Sequence, residues 1–338
     1  MIKLARAIGV AALLPLAATT ATAEAPRFAL PLDCEAGTTC YVQNFVDVDP
    51  GPGNQDYLCG GATYDGHTGT DIRVLNMPEA SKGIAVKAAA VGVVAKTREG
   101  VDDDLVDTAE EARRVTSYGL GNVVIIDHGE GWQTIYGHMR KGSLKVRSGD
   151  KVTAGTPIGE IGLSGLTQFP HVHFEVRHNG KLVDPFSGGE AGAACAADAG
   201  KAVAGTLWAP DVVSALASTE SHILEVGFAG APLSPVDLEV GLSPDKAASS
   251  TSPGLVFFAR VMNMREGDQL RFVLDGPGDW KQEHAMAPVE RAKATYVGFA
   301  GKKLKSERWP AGRYAGKVEL YRAGRVVVAA EGQMTLPE

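Results

Sequence analysis

The chain has 338 residues, 44% of them hydrophobic and 22% charged, a globular composition long enough for two folding units. Its formal net charge of −7 argues against nucleic acid or an anionic membrane surface as a partner. The four cysteines include no C-x-x-C spacing, which argues against a thiol redox pair or zinc knuckle and suits two disulfides in an exported chain.

The first residues, MIKLARAIGVAALLPLAATTATAEAP, read as a secretory signal. Lys3 and Arg6 give the positive start, Ala7 to Ala18 the apolar run, and Ala21-Thr22-Ala23 a small-x-small cleavage site. The apolar run is too short to span a bilayer, and no later segment does so. The expectation is export to the periplasm or cell envelope, with cleavage after Ala23. Losing Lys3 and Arg6 makes the mature chain two charges more negative.

Residues 24–190 then form a first unit. From residue 83 it reads as β: GIAVKAAAVGVVAKT and LGNVVIIDHGEGWQTIYGHM are short apolar runs separated by Gly, Asp and Asn. FEVRHNGKLVDP is a hairpin, because Asn179-Gly180 suits a two-residue turn with positive φ at both positions. Between these runs, residues 98–118 are acidic and lack strand alternation. They read as a surface insertion with a helical turn about Thr108 to Arg114. Residues 191–206, rich in Ala and Gly, read as a linker. Residues 207–338 offer strand candidates ILEVGF, DLEVGL, GLVFFARVM, QLRFVL, ATYVGF, KVELY and RVVVA, the last two joined by Ala323-Gly324. That density suits an immunoglobulin-like β-sandwich, so the fold class is all-β throughout. His222 and His284 are isolated there, and the second unit is expected to do no chemistry. It is a candidate surface for the cell wall or a protein partner.

Chemistry concentrates in the first unit. In FPHVHFEVRHNG, His171 and His173 occupy alternate positions of a strand and so project from one face. In YDGHTGTDIR, His67 and Asp71 are four apart, an even spacing that also shares a face if the segment is extended. Gly66 and Gly69, with Thr68, Thr70 and Ile72, argue against helix there. Two imidazoles and one carboxylate form a common catalytic zinc set, with a fourth position open for water whose pKa falls to about 7. Four candidate ligands are present where three suffice, and His138 in TIYGHM is a fifth. A spare histidine beside such a metal can move a proton or hold an oxyanion. His128 and His178 sit where turns want polar groups and read as structural.

Taken together, these residues resemble the lysostaphin-type zinc endopeptidases of peptidoglycan, the LytM or M23 family. GHTGTDI is similar to the family's H-x-x-x-D motif and PHVHFEV to its H-x-H motif. GNVVIIDHGEGWQTIYGHM is similar to the strand pair leading to its middle histidine, and VRSGDKVTAGTPIGEIGLSG to its glycine-rich segment. The resemblance covers residues 60–186. It implies a mainly antiparallel sheet with a groove and one zinc on its floor. His67, Asp71 and His173 would be the zinc ligands, and His138 and His171 the catalytic pair. It also implies a substrate, the peptide stems or cross-links of peptidoglycan. Two other readings stand beside it: a non-catalytic regulator or activator of cell-wall hydrolases, and a secreted protease of Gly-rich proteins. A biotinyl or lipoyl carrier, suggested by GDKVTAGTPIGEIG, lacks the Lys flanked by Met that it needs.

The cysteines leave three pairings open. The expectation is Cys40–Cys59, clamping the turn-rich DVDPGPGNQDYL ahead of His67, and Cys34–Cys195, tying the ends of the first unit.

Overall fold

Alternating branched and polar residues in the first half build one antiparallel sheet. The computed structural model describes residues 25–338; the expected secretory signal and cleavage site lie outside the described residues. The strands are β1 (Cys40–Asn44), β2 (Thr70–Val74), β3 (Ala85–Lys87), β4 (Gly92–Arg98), β5 (Asn122–Gly129), β6 (Trp132–Met139), β7 (Lys151–Val152), β8 (Pro157–Glu160), β9 (His171–His178) and β10 (Lys181–Val183). The main sheet runs β1-β2-β9-β6-β5-β4-β7, β10 also pairs with β9, and β3 and β8 form a separate ribbon. The hairpin to β10 turns at Asn179 and Gly180, with φ of 50° and 79°, as the residue pair requires.

Short helices punctuate the strands: α1 (Met77–Ala80), α2 (Ala109–Val115), α3 (Ala199–Ala202) and α4 (Pro210–Leu216). The acidic insertion contains α2, started by a capping box between Thr108 and Glu111. The insertion is strapped to the loop that precedes β9. Val106 N donates to Thr167 O at 3.0 Å, and Leu163 N donates to Asp103 Oδ1 at 2.8 Å.

The first core gathers Phe28, Phe45, Tyr57, Phe174, Phe186 and Trp208 beneath the sheet. Trp208 is fully buried there, and Val212 and Leu216 of α4 join it. The residues from 207 to 216, expected with the second unit, therefore pack into the first. The Ala/Gly-rich stretch before them is fastened too. Cys195 is bonded to Cys59, and Ala196 N donates to Tyr57 O at 3.1 Å. Composition suggested a free linker; a tryptophan filling the core decides otherwise.

The second half contains β11 (His222–Ala229), α5 (Pro235–Val240), β12 (Gly254–Met264), β13 (Gln269–Asp275), β14 (Lys281–Ala285), β15 (Lys293–Lys303), β16 (Gly312–Arg322) and β17 (Arg325–Leu336). A sheet ordered β11-β12-β15 and one ordered β14-β13-β16-β17 enclose Phe257, Phe272, Tyr314, Val318 and Leu320. Ala323-Gly324 makes the β16–β17 turn with φ of 49° and 78°. Among the expected strands, DLEVGL is instead the helix α5. Ser234 and Asp237 form a capping box and Pro235 takes the first turn, a local signal that outweighs the alternation of DLEV. β14 was not legible, because its mostly exposed KQEHA has no apolar alternation. Among the described residues no helix is long and apolar enough to cross a membrane.

The disulfides are Cys34–Cys40 and Cys59–Cys195, not Cys40–Cys59 and Cys34–Cys195. A tight turn explains the first pair. Thr38 N and Thr39 N both bond to Glu35 O, which brings Cys34 and Cys40 to a Cα separation of 6.0 Å. The second pair closes a span of 136 residues. In the chain-entropy model, replacing Cys59 and Cys195 by Ser costs about 5 kcal/mol, against about 2 kcal/mol for the short pair. Denaturant titration of the two double variants checks the ranking. Equal losses would contradict it, as would a Cys40–Cys59 peptide in a non-reducing digest.

Candidate metal centre

Strand register builds the site. β2 and β9 pair antiparallel with Asp71 opposite His173 and Arg73 opposite His171. The alternation expected for His171 and His173 is therefore present, and it faces Asp71. His67 arrives differently. It lies in the loop before β2, not in an extended strand with Asp71. Its position comes from its Nδ1–H, which donates to Phe45 O at 2.7 Å, just past β1. His138, next to last in β6, has φ 57°, a left-handed conformation uncommon outside glycine. Its backbone N–H donates to Leu120 O at 2.8 Å, and the turn-out brings its ring to 4.5 Å from that of His171.

One ligand atom each from His67, Asp71 and His173 lie within 4.8 Å of one another, all three residues being buried. His67 Nε2 is 3.1 Å from Asp71 Oδ2, yet it is buried without a hydrogen-bond partner. The contact is close but lacks the geometry of a bond. His173 Nδ1 is 2.9 Å from Asp71 Oδ1. A Cβ at Gly69 would come within 2.5 Å of the His173 ring, so only glycine leaves that ring its place. An orphaned imidazole nitrogen, a second imidazole and a carboxylate converging in this cradle fit a divalent cation such as zinc.

Outer contacts fix which nitrogen each ring presents. A carbonyl can only accept, so His138 Nδ1 donates to Ser164 O at 2.8 Å and His171 Nδ1 donates to Phe169 O at 2.8 Å. Both rings thus turn Nε2 inward, and His171 Nε2 lies 3.3 Å from Asp71 Oδ1. His173 is reversed, with Nδ1 inward and Nε2 facing Thr68 Oγ1 at 3.4 Å and Glu175 Oε2 at 3.7 Å. Asn44 Nδ2 donates to Asp71 Oδ2 at 3.0 Å. Sequence reasoning missed both Asn44 and Glu175. Glu175 had a signal, since it continues the alternation of His171 and His173; Asn44 had none. Tyr64, half exposed, leans on His67 with rings 4.5 Å apart. His128 and His178 lie outside the cluster. His128 is bonded at both ring nitrogens, to Val91 O and Thr134 Oγ1, and His178 stacks on Trp132 at 4.1 Å.

The charges follow from burial. Burial alone would raise the Asp71 carboxyl, but His67, His171 and the hydrogen bonds from His171 and His173 hold it well below its usual value. Burial, reinforced by His171 and His173, pushes the His138 imidazole well down, so it is neutral at pH 7. Burial also acts to lower His173, but bonding to Asp71 and Glu175 outweighs it and lifts His173 to about 9.

Residues 65–185 match the model described as Peptidase family M23. The DD-carboxypeptidase/endopeptidase Mpg of Neisseria meningitidis serogroup B is 33% identical over 126 residues, 37% of this chain and 23% of that protein. The murein hydrolase activator EnvC of Escherichia coli is 39% identical over 67 residues, 20% of this chain and 16% of that one. The chain thus spans about a quarter of the length of the Neisseria relative, and less of the other. Among solved structures, the catalytic domain of a mutant of the prophage-encoded M23 protein EnpA from Enterococcus faecalis is 27% identical with a TM-score of 0.31, covering 48% of this chain and 94% of that one.

The raised His173 value has two consequences. In the metal-free protein it contributes stability that is full below about pH 6.5 and is lost as pH rises through about 9. A cation taking the Nδ1 position must also expel that proton. Titration calorimetry with zinc at pH 7, in buffers of different ionisation heat, should show about one proton released per ion, the number falling as pH passes about 9. Binding without proton release at pH 7 would remove His173 from the ligand set.

Proposed function

We propose that this chain is an exported zinc endopeptidase that cleaves peptide bonds in peptidoglycan stems or cross-links. The observation that carries the reading is the convergence of five side chains. His67, Asp71 and His173 present ligand atoms to one point, and His138 and His171 turn Nε2 toward the same space. One zinc would be held by His67 Nε2, the Asp71 carboxylate and His173 Nδ1. When bound, it supplies a Lewis acid for the scissile carbonyl and lowers the pKa of water.

The chain's own groups divide the remaining work. His138 is neutral, with Nδ1–H committed to Ser164 O, so its Nε2 lone pair is free to take a proton. His171, whose Nε2 lies 3.3 Å from Asp71 Oδ1, is the second group placed beside the reacting carbonyl. The acidic insertion is tied to the loop before His171, beside the cluster. The printed names of the relatives support a cell-wall substrate, and the likeness to EnvC supports a second reading, a hydrolase activator. Five intact groups favour the enzyme. We place the division between the halves near residue 218, after α4, because Leu216 packs in the first core and β11 opens the second.

Digestion of purified sacculi by the zinc-loaded protein, with mass spectrometry of the fragments, tests the proposal and names the bond. His138→Ala and His171→Ala should each lower the rate about a hundredfold or more while keeping the metal. No fragments from sacculi, with stimulation of a partner hydrolase instead, would favour the activator. Cleavage of Gly-rich proteins but not sacculi would move the substrate class.

A further inference from the structure

β2 carries a second charged residue on the face of Asp71. Arg73 lies directly across from His171 and is fully buried. A lone cation is not stable there. Its counter-charge comes from the other half of the chain: Nη2 donates to both carboxylate oxygens of Glu239, on α5, at 2.8 Å. A second fully buried guanidinium, Arg260 of β12, shares that carboxylate at 2.9 Å and meets Glu225 at 2.6 Å. Arg260 also donates to Leu75 O at 2.7 Å, just beyond β2. The second half therefore grips the strand that carries Asp71.

The grip extends to His171. The Arg73 guanidinium carbon lies 4.9 Å over the Phe169 ring. The same ring stacks on the His171 imidazole at 4.4 Å with planes 29° apart. The other donors of Arg73 are committed to Gln43, Val74 O and Leu75 O, so the guanidinium cannot swing away. Phe169 also supplies the carbonyl that holds His171 Nδ1. Phe169 thus both stacks on His171 and accepts from its Nδ1, which Thr167 Oγ1 also approaches at 3.1 Å, and Arg73 pins the Phe169 ring.

We infer that Glu239 is a positioning residue for His171, acting through Arg73 and Phe169. The second half, read from sequence as a separate accessory unit, is then part of the scaffold of the site. Glu239 lies outside the matched residues 65–185, so the family relation assigns it nothing. The effect on turnover rests on the peptidase reading; the effect on the His171 ring does not.

The test uses the zinc-loaded full chain with isotope-labelled histidine and records ring NMR signals, with His171 assigned through His171→Gln. Glu239→Gln and Phe169→Leu should each shift or broaden the His171 signals and leave those of His128 in place. Arg73→Lys keeps the charge but loses the flat face over Phe169, and should reproduce the Phe169→Leu change. The pair Glu239→Gln with Phe169→Leu should go no further than Phe169→Leu alone, because the path is already cut. On peptidoglycan fragments, kcat should fall about tenfold in each single variant with KM within about twofold. Unmoved His171 signals in folded Glu239→Gln, or additive losses in the pair, would overturn the inference. Should Glu239→Gln fail to fold, unmoved His171 signals in Arg73→Lys would overturn it equally. Shifted signals with no turnover even in the parent would sustain the positioning and sink the peptidase.

Discussion

A carboxylate removed from water must be met by positive charge or hydrogen-bond donors. Asp71 is 3% exposed, and the site is organised around meeting its demand. His173 approaches one oxygen at 2.9 Å and His171 the same oxygen at 3.3 Å, while His67 and Asn44 approach the other at 3.1 and 3.0 Å. The arrangement depends on the pairing of β2 with β9. A one-residue slip would send Asp71 to the opposite face of the sheet and dissolve the cluster.

The histidines around it are not free to answer in any orientation. Phe45, Ser164 and Phe169 each present a carbonyl to a ring nitrogen, and Thr68 and Glu175 stand behind the fourth ring. These partners come from different loops, so the site inherits its geometry from the packing of the whole first half. The second half adds to this through the ion-pair chain of Glu225, Arg260, Glu239 and Arg73, the last three buried. Removing Glu239 would leave the Arg73 guanidinium buried without its counter-charge, a loss that typically costs about 3–5 kcal/mol.

What was legible in the sequence was whatever local spacing controls. Alternation gave His171 and His173 a common face, Asn179-Gly180 and Ala323-Gly324 gave their turns, and the stretch from Thr108 to Arg114 gave a helical turn. What was not legible depended on long-range packing. His67 meets Asp71 through a loop held by Phe45, not through strand alternation. Cys34 found Cys40 because of a turn at Glu35 that no cysteine count contains. Trp208 closes the first core although an Ala/Gly-rich stretch precedes it. DLEVGL alternates like a strand, but Ser234-Pro235 and Asp237 start a helix there. Arg73 and Glu239, far apart in sequence, could be paired only in space.

The central claim is that Asp71 makes this cluster a metal centre. Elemental analysis of the purified full chain beside its Asp71→Ala variant addresses it most directly. The account predicts about one zinc per chain in the parent and almost none in a folded variant, since removing one of three protein ligands opens the site. Full zinc in Asp71→Ala, or a folded parent that holds no zinc when it is supplied, would contradict it.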